Sequence, residues 1–95
     1  MAKVQFFAYE DLTVAGTSVG FTAATYSNGD YASIQVETAP IRFRLDAGTP
    51  TASVGQSLEV GDRIYLESRE EVVRFRAIRR DGTSATLRCQ FGVQT

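Results

Sequence analysis

The stretch YASIQVETAPIRFRLDAGTPTASVGQSL, residues 31–58, decides the fold class because apolar and polar residues alternate along its first half. In residues 31–37 every second residue from Ala32 onward is apolar, and residues 41–46 repeat this pattern from Ile41 onward. A period of two is typical of a strand with one buried face and one solvated face. The stretch therefore predicts two strands of an antiparallel sheet.

The same period recurs in residues 63–67, 73–77 and 84–93. We expect the inward positions of these strands to be Ile64, Leu66, Val73, Phe75, Ala77, Ala85, Leu87, Cys89, Phe91 and Val93. Asn28-Gly29 and Asp81-Gly82 are dipeptides typical of hairpin turns, and only residues 68–72 could form a helical turn. The pattern predicts an all-β fold, a compact antiparallel β-sandwich (jelly-roll-like) or a small barrel of about seven or eight strands.

Length and composition limit the possible functions. The 95 residues are enough for a single β domain, residues 1–95. Cys89 is the only cysteine, which excludes an intrachain disulfide, and the absence of histidine argues against zinc and against histidine acid–base chemistry. Cys89 is expected to be a buried apolar residue. We predict no catalytic residue, no metal and no cofactor.

The N-terminal third differs from the rest of the chain. Residues 4–9 and 20–26 carry apolar side chains on both faces, so we expect strands that are enclosed in the fold or covered by a partner. Phe6 and Phe7 are candidate contact residues, and residues 1–25 are a candidate attachment or oligomerisation region. No segment has the length or composition of a signal peptide or a membrane span, so we expect no membrane association.

Arginine is the only basic residue in residues 41–95, where it occurs nine times. Arginine is suited to fixed, bidentate pairing. We expect Arg42, Arg44, Arg74 and Arg76 to pair with acids across strands or across a subunit contact. Sheets that bind RNA place exposed aromatic residues among their basic ones, a pattern lacking here, so we predict no nucleic-acid binding.

Residues 47–56 form a second unusual feature, because they contain no charged side chain and include Pro50. Such a segment can lie against a neighbouring protein without burying an unpaired charge. An ordinary solvated loop is the alternative interpretation. The candidate protein-contact residues of this region are Arg42, Arg44, Thr49, Pro50, Thr51 and Ser53.

Residues 32–92 resemble a group of small structural proteins of tailed bacteriophages. The matching motifs are Ile34-Gln35-Val36-Glu37, Ile41-Arg42-Phe43-Arg44, residues 46–55, Gly61-Asp62, residues 74–78 and residues 84–87. The segment from Thr49 to Gly55 is the most specific of them. The sequence departs from the pattern at Ala47, which is inserted between Asp46 and Gly48, and in residues 1–25.

The resemblance implies a non-enzymatic virion component, with a capsid decoration or cementing protein as the first expectation. Such a protein would be made in the bacterial host cytoplasm and bind the capsid surface, where its partner would be the major capsid or another virion protein. A homo-oligomer, such as a trimer, is also expected. A head–tail connector, a tail or baseplate accessory protein, and a carbohydrate-binding β-sandwich are the alternatives. For the last, the candidate aromatic residues are Tyr9, Tyr26, Tyr31 and Tyr65.

Overall fold

The computed structural model describes residues 3–95, which form seven strands and two short helices. In chain order these are β1 (Val4–Val14), α1 (Ala23–Tyr26), β2 (Tyr31–Glu37), β3 (Ile41–Arg44), β4 (Gln56–Leu58), β5 (Arg63–Leu66), α2 (Arg69–Arg74), β6 (Arg76–Arg79) and β7 (Ala85–Gln94). The predicted all-β fold is confirmed.

The strands form two antiparallel sheets whose inner faces share one core. Sheet A has the strand order β1-β7-β2-β5, and sheet B has the order β4-β3-β6. Sheet A contributes residues such as Ile34 and Leu87 to the core, and sheet B contributes Ile41, Phe43 and Ala77. The architecture is therefore a β-sandwich, with β1 and β5 at the edges of sheet A.

The period of two in the sequence corresponds to the two faces of the central strands. In β2, Ala32 and the two apolar residues that alternate with it are buried, while the intervening residues are partly exposed. Cys89 in β7 pairs with Ile34 and is fully buried, as predicted. Val93 is only half-buried, because the alternation of β7 weakens at its C-terminal end.

The prediction of a strand over residues 73–77 is wrong in its first half. Arg69–Arg74 form α2, and Val73 is exposed, whereas Val72 packs in the core. Ser68 caps this helix by accepting a hydrogen bond from the Glu71 N–H at 3.2 Å. A serine followed three residues later by glutamate is a recognised helix-start signal, and it outweighs the strand propensity of the paired valines.

Two further local predictions are also wrong. Residues 20–26 do not form a strand, because Ala23–Tyr26 form α1, and the chain reverses through Ser27 at a φ of 46°. Neither Asn28-Gly29 nor Asp81-Gly82 closes a hairpin: the first follows a helix, and the second connects β6 of sheet B to β7 of sheet A. Turn dipeptides mark a reversal of the chain without specifying the partner strand.

An aromatic cluster joins the two sheets. Phe21 stacks on Phe75 with ring centroids 4.5 Å apart and meets the edge of Phe91 at 4.9 Å. Phe43 of sheet B lies 5.8 Å from Phe75. Phe75 and Phe91 are fully buried, so this cluster fixes the segment before α1 against the core.

Candidate protein-contact site

The uncharged segment that leads from β3 into β4, residues 47–56, is here called the contact loop. Arg42 of β3 reaches along it: Nε donates to the carbonyl oxygen of Ala52 at 2.8 Å, and Nη1 donates to that of Gly55 at 3.0 Å. Arg42 alternates with the buried residues Ile41 and Phe43, so its side chain starts from a fixed point of the sheet. One guanidinium thus connects the sheet to two points of the loop.

The tip of the contact loop is a closed turn. Thr51 and Val54 exchange two backbone hydrogen bonds, at 2.9 and 3.3 Å, and the N–H of Ser53 donates to the hydroxyl of Thr51 at 3.3 Å. Pro50, just before the turn, is fully buried. The backbone of the tip is therefore held by its own hydrogen bonds, by Pro50 and by Arg42.

The base of the contact loop is held by a second arginine. Arg44 donates from Nε and Nη2 to the two carboxylate oxygens of Asp46, at 3.0 and 2.7 Å, and the Gly48 N–H donates to Asp46 Oδ1 at 3.1 Å. These contacts lower the pKa of Asp46 to about 2, with the Arg44 hydrogen bonds as the largest cause. A Cβ at Gly48 would come within 2.4 Å of the Arg44 guanidinium carbon, so a larger residue at this position would displace the guanidinium.

The outward side of the contact loop is free of charge. Thr49, Thr51, Ser53 and Val54 are all exposed, and Val54 retains 49% of its accessible surface. Pro50 is turned inward, so it stabilises the loop and is not itself available to a partner, contrary to its selection as a contact residue. Val54 is an exposed residue that the candidate set lacks, and the sequence signal for it is an isolated valine in a stretch of small polar residues.

An open groove lies beside the contact loop. It has a volume of about 430 Å³ and is lined by Phe43, Arg44, Leu45, Asp46, Gly55 and Gln56. The groove and the exposed tip share the same segment of chain. Together they form a surface with a protruding apolar residue and an adjacent recess.

Phe6 and Phe7, the other two candidates, lie on a different part of the molecule. They belong to β1, the edge strand of sheet A, and are 44% and 46% exposed. The register of β1 on β7 shifts between Phe6 and Ala8, which places Phe7 in a β-bulge. The candidate residues therefore form two separate surfaces: the contact loop next to sheet B and the N-terminal edge of sheet A.

The arginines do not form the expected set of cross-strand ion pairs. Arg42 binds backbone carbonyl groups, and Arg76 binds the carbonyl and hydroxyl oxygens of Ser18 at 3.2 Å. Arg44 pairs with an acid of its own segment, and Arg74 pairs with Glu70 one helical turn away at 3.6 Å. The cross-strand form of the prediction is wrong for these four, because the chain around them supplies closer acceptors. Pairing across a subunit contact stays a prediction.

Arg88 makes the cross-strand pairs that the sequence pattern favoured. It lies between Asp11 of β1 at 2.8 Å and Glu37 of β2 at 2.9 Å. The hydroxyl of Tyr9 also donates to Asp11, and these contacts lower the pKa of the Asp11 carboxyl, with the Tyr9 hydrogen bond as the largest cause. Ion pairs thereby connect β1, β7 and β2 on the outer face of sheet A.

The surroundings of Cys89 disfavour its thiolate form. Burial, together with the nearby carboxylates of Glu10 and Asp11, raises the pKa of the Cys89 thiol to about 12, the opposite of what a nucleophilic thiolate requires. Residues 3–95 contain no cluster of three or more His, Cys, Asp or Glu side chains placed to hold a metal ion. Within the same residues, neither helix is long and apolar enough to cross a membrane.

Comparisons with known proteins gave no match from which a function could be inferred. No protein-family model matches the chain, and neither the curated proteins nor the solved structures gave a significant match. The resemblance of residues 32–92 to small structural proteins of tailed bacteriophages stays a prediction. Functional inference therefore depends on the two surfaces described above.

Proposed function

We propose that the protein is a non-enzymatic structural component of a bacteriophage particle, a decoration protein that binds the head through its contact loop. The observation that carries the proposal is the construction of this loop. Residues 47–56 expose uncharged side chains, while Arg42 holds their backbone from the neighbouring strand. The resemblance to small phage structural proteins supplies the setting.

Rigidity of the contact loop supports a role in binding. A segment that must become ordered on association loses conformational entropy, and this loss weakens the complex. Here the turn from Thr51 to Val54 is already closed by backbone hydrogen bonds, and Arg42 fixes its position. An uncharged tip also avoids the cost of burying an unpaired ion. A protein surface with a recess for Val54 is the partner that fits this shape.

The mechanism of such a protein is mechanical. Attached across a junction between subunits of the major capsid protein, it adds contact area that must be broken before the shell can open. Because many identical junctions exist on a symmetric shell, modest affinity at each site gives a large total stabilisation. No chemical step is needed, which agrees with the burial and raised pKa of Cys89.

The exposed edge of sheet A supports self-association. β1 is eleven residues long, lies at the edge of the sheet and exposes Phe6 and Phe7. A long edge strand with unpaired backbone groups and apolar side chains readily pairs with another strand. We propose that β1 contacts a second copy of the chain, which gives the homo-oligomer expected of a decoration protein.

The decisive variant is Thr51→Glu combined with Ser53→Glu, which places two charges on the exposed tip of the contact loop. Thr17→Glu combined with Thr83→Glu is the matched control, because both residues are exposed in other loops. Each double variant should fold with a free energy of unfolding within about 0.5 kcal/mol of the wild type per site. Only the loop variant should be lost from particles purified from infected cells and quantified by mass spectrometry.

Two results would contradict the proposal. If the loop variant enters particles as well as the control does, the contact loop is only a connection between β3 and β4. If the wild-type protein is absent from purified particles, it is not a virion component. The number of copies per particle distinguishes decoration from the alternative locations. A decoration protein occupies many equivalent positions of the shell, whereas a connector, tail or baseplate protein is expected to have only as many copies as one symmetric ring has subunits.

A further inference from the structure

The outer face of sheet A carries a group of aromatic side chains that the contact loop does not involve. Tyr9 and Tyr65 are 52% and 51% exposed, Phe6 is exposed, and Tyr31 is half-buried beside them. The rings of Phe6 and Tyr31 meet edge to face at 5.9 Å, and those of Tyr31 and Tyr65 lie 6.1 Å apart. Tyr26 is not part of this group, because its ring packs against Phe91 in the core.

Strand register brings these aromatic residues together from three strands. Tyr9 pairs with Gln90, Gln90 with Ser33, and Ser33 with Tyr65, so one row across the sheet begins and ends with tyrosine. Three steps between adjacent strands separate the two tyrosines by roughly 14 Å. Two polar side chains, Gln90 and Ser33, lie between the two tyrosines in this row.

A polar depression adjoins Tyr9 on this face. A depression of about 110 Å³ is lined by Tyr9, Ser33, Gln35, Arg63, Arg88 and Gln90. Gln35 uses its Oε1 to accept a hydrogen bond from Arg63 at 3.2 Å, which leaves its amide NH₂ for another partner. Ser33 and Gln90 have no side-chain partner within residues 3–95, so their hydrogen-bonding groups face the solvent.

This combination matches the chemistry of a sugar. The C–H face of a pyranose ring packs on an aromatic ring, while its hydroxyl groups require both donors and acceptors, which side-chain amides and serine provide. Of the two arginines that line the depression, Arg88 lies between Asp11 and Glu37, and Arg63 hydrogen-bonds Gln35. We propose that the outer face of sheet A binds a neutral oligosaccharide, with Tyr9 and Tyr65 as stacking platforms.

A protein partner fits this face less well. The outward positions of β2 and β7 carry no leucine, isoleucine or valine between Tyr31 and Glu37 or between Thr86 and Gly92. The buried centre of a protein interface is depleted in serine and in charged residues, whereas Ser33 lies between two glutamines at the centre of this face. The polar depression is what favours a ligand rich in hydroxyl groups.

This site is independent of the proposed attachment through the contact loop. The contact loop connects two strands of sheet B, whereas the aromatic residues project from sheet A on the side away from the core. A particle-bound copy could therefore present the aromatic face to solvent. Loss of either function by mutation should leave the other intact, so their failures can be distinguished.

The test is a titration of the ¹⁵N-labelled full chain with hexasaccharides of β-1,4-linked glucose, β-1,4-linked N-acetylglucosamine and α-1,4-linked glucose, and with a neutral bacterial O-antigen polysaccharide. At least one should shift the backbone amide signals of Tyr9, Ser33 and Gln90. Tyr9→Ala and Tyr65→Ala should each weaken that binding by about tenfold or more, equivalent to about 1.4 kcal/mol. Tyr65→Phe keeps the ring and should change affinity by less than about threefold.

Val73→Ala is the matched control, since Val73 is an exposed apolar residue on α2, and it should bind as the wild type does. The absence of localised shifts with all four saccharides would overturn the proposal. It would also be overturned if binding survived both alanine substitutions. A third contrary result is that Tyr65→Ala abolishes self-association or particle incorporation without affecting saccharide binding, which would make this face a protein contact.

Discussion

Arg42 Nε lies 2.8 Å from the carbonyl oxygen of Ala52, so a strand residue holds the tip of a loop that follows it ten positions later in the chain. The same guanidinium binds Gly55 at the other end of the turn. A loop of small uncharged residues has few side chains with which to order itself. Arg42 supplies that order from the sheet, and the contact loop keeps a defined shape while its outer surface stays uncharged.

Replacing Arg42 should loosen the contact loop without unfolding the sandwich. Arg42→Met keeps the aliphatic part of the side chain and removes both hydrogen bonds, at a cost of about 2 kcal/mol in the free energy of unfolding. Amide hydrogen exchange at Thr51 and Val54 should become faster, because their mutual hydrogen bonds lose their support. Arg74→Met, which removes only an exposed pair within α2, should cost about 0.5 kcal/mol or less. Equal effects of the two substitutions would contradict this role of Arg42.

Asp46 should make stability depend on pH in the acid range. Its pKa in the folded chain is lowered to about 2, whereas the pKa of an aspartate in an unfolded chain is about 3.9. Since the folded state binds this proton less tightly, the contribution of the pair is complete above about pH 4 and is lost as the pH falls through about 2. Urea denaturation should show wild type and Asp46→Asn differing most at neutral pH and converging in acid. A difference that does not change with pH would contradict the Arg44–Asp46 pairing.

Cys89 should react slowly in the native protein. It is fully buried opposite Ile34, and its pKa is raised to about 12. In the native protein, a bulky thiol reagent should label Cys89 only as fast as the fold opens to expose it. Labelling should become rapid once denaturant is added. Cys89→Ala should destabilise the protein by about 1 kcal/mol, and Cys89→Ser by about 1–3 kcal/mol, because the serine hydroxyl would be buried without a partner. Fast labelling of native protein would mean that the face assignment of β7 is wrong.

Nucleic acid should not bind tightly. Arg42 and Arg44 are committed to the contact loop, Arg76 to Ser18, and Arg88 to two carboxylates of sheet A. Arg42, Arg44 and Arg76 lie in sheet B, where Arg44 is paired with Arg76, and only Arg88 lies in sheet A. Because each of them already binds acceptors within the chain, we expect little affinity for a phosphate backbone. A gel-shift assay at about 150 mM salt should give no complex at micromolar protein with DNA or RNA. Salt-sensitive binding below that concentration would contradict this expectation.

Alternation along the chain was a sufficient guide wherever one strand face packs in the core and the other is solvated. It identified the buried sides of β2, β3 and β7 because consecutive side chains of a strand point in opposite directions. It failed at residues 69–74, where Ser68 and Glu71 start a helix in a segment rich in β-branched residues. The strand propensity of Val72 and Val73 is weaker than a capped turn that also buries one of the two valines.

The candidate contact residues were also only partly predictable. An absence of charge is a property of the sequence, so the contact loop could be recognised from residues 47–56 alone. The partners of Arg42 could not be recognised from the sequence, because they are backbone carbonyl groups, which occur at every position of the chain. Only the path of the loop places Ala52 and Gly55 within reach. For the same reason, the inward orientation of Pro50 was not visible in the sequence.

The sequence by itself determined that this protein has an antiparallel all-β fold, since a period of two and the spacing of the turns are local properties. The choice between a sandwich and a small barrel needed the two sheets of the tertiary structure. Only the tertiary structure decided that β6 and β7 belong to different sheets. It also decided that Tyr9, Tyr31 and Tyr65 share one surface and that Tyr26 does not. The physical reason is that strand pairing connects residues far apart in the chain, and its register depends on the packing of the whole core. The sequence therefore specifies which residue types are available to each surface, but the fold decides which of those residues lie next to one another.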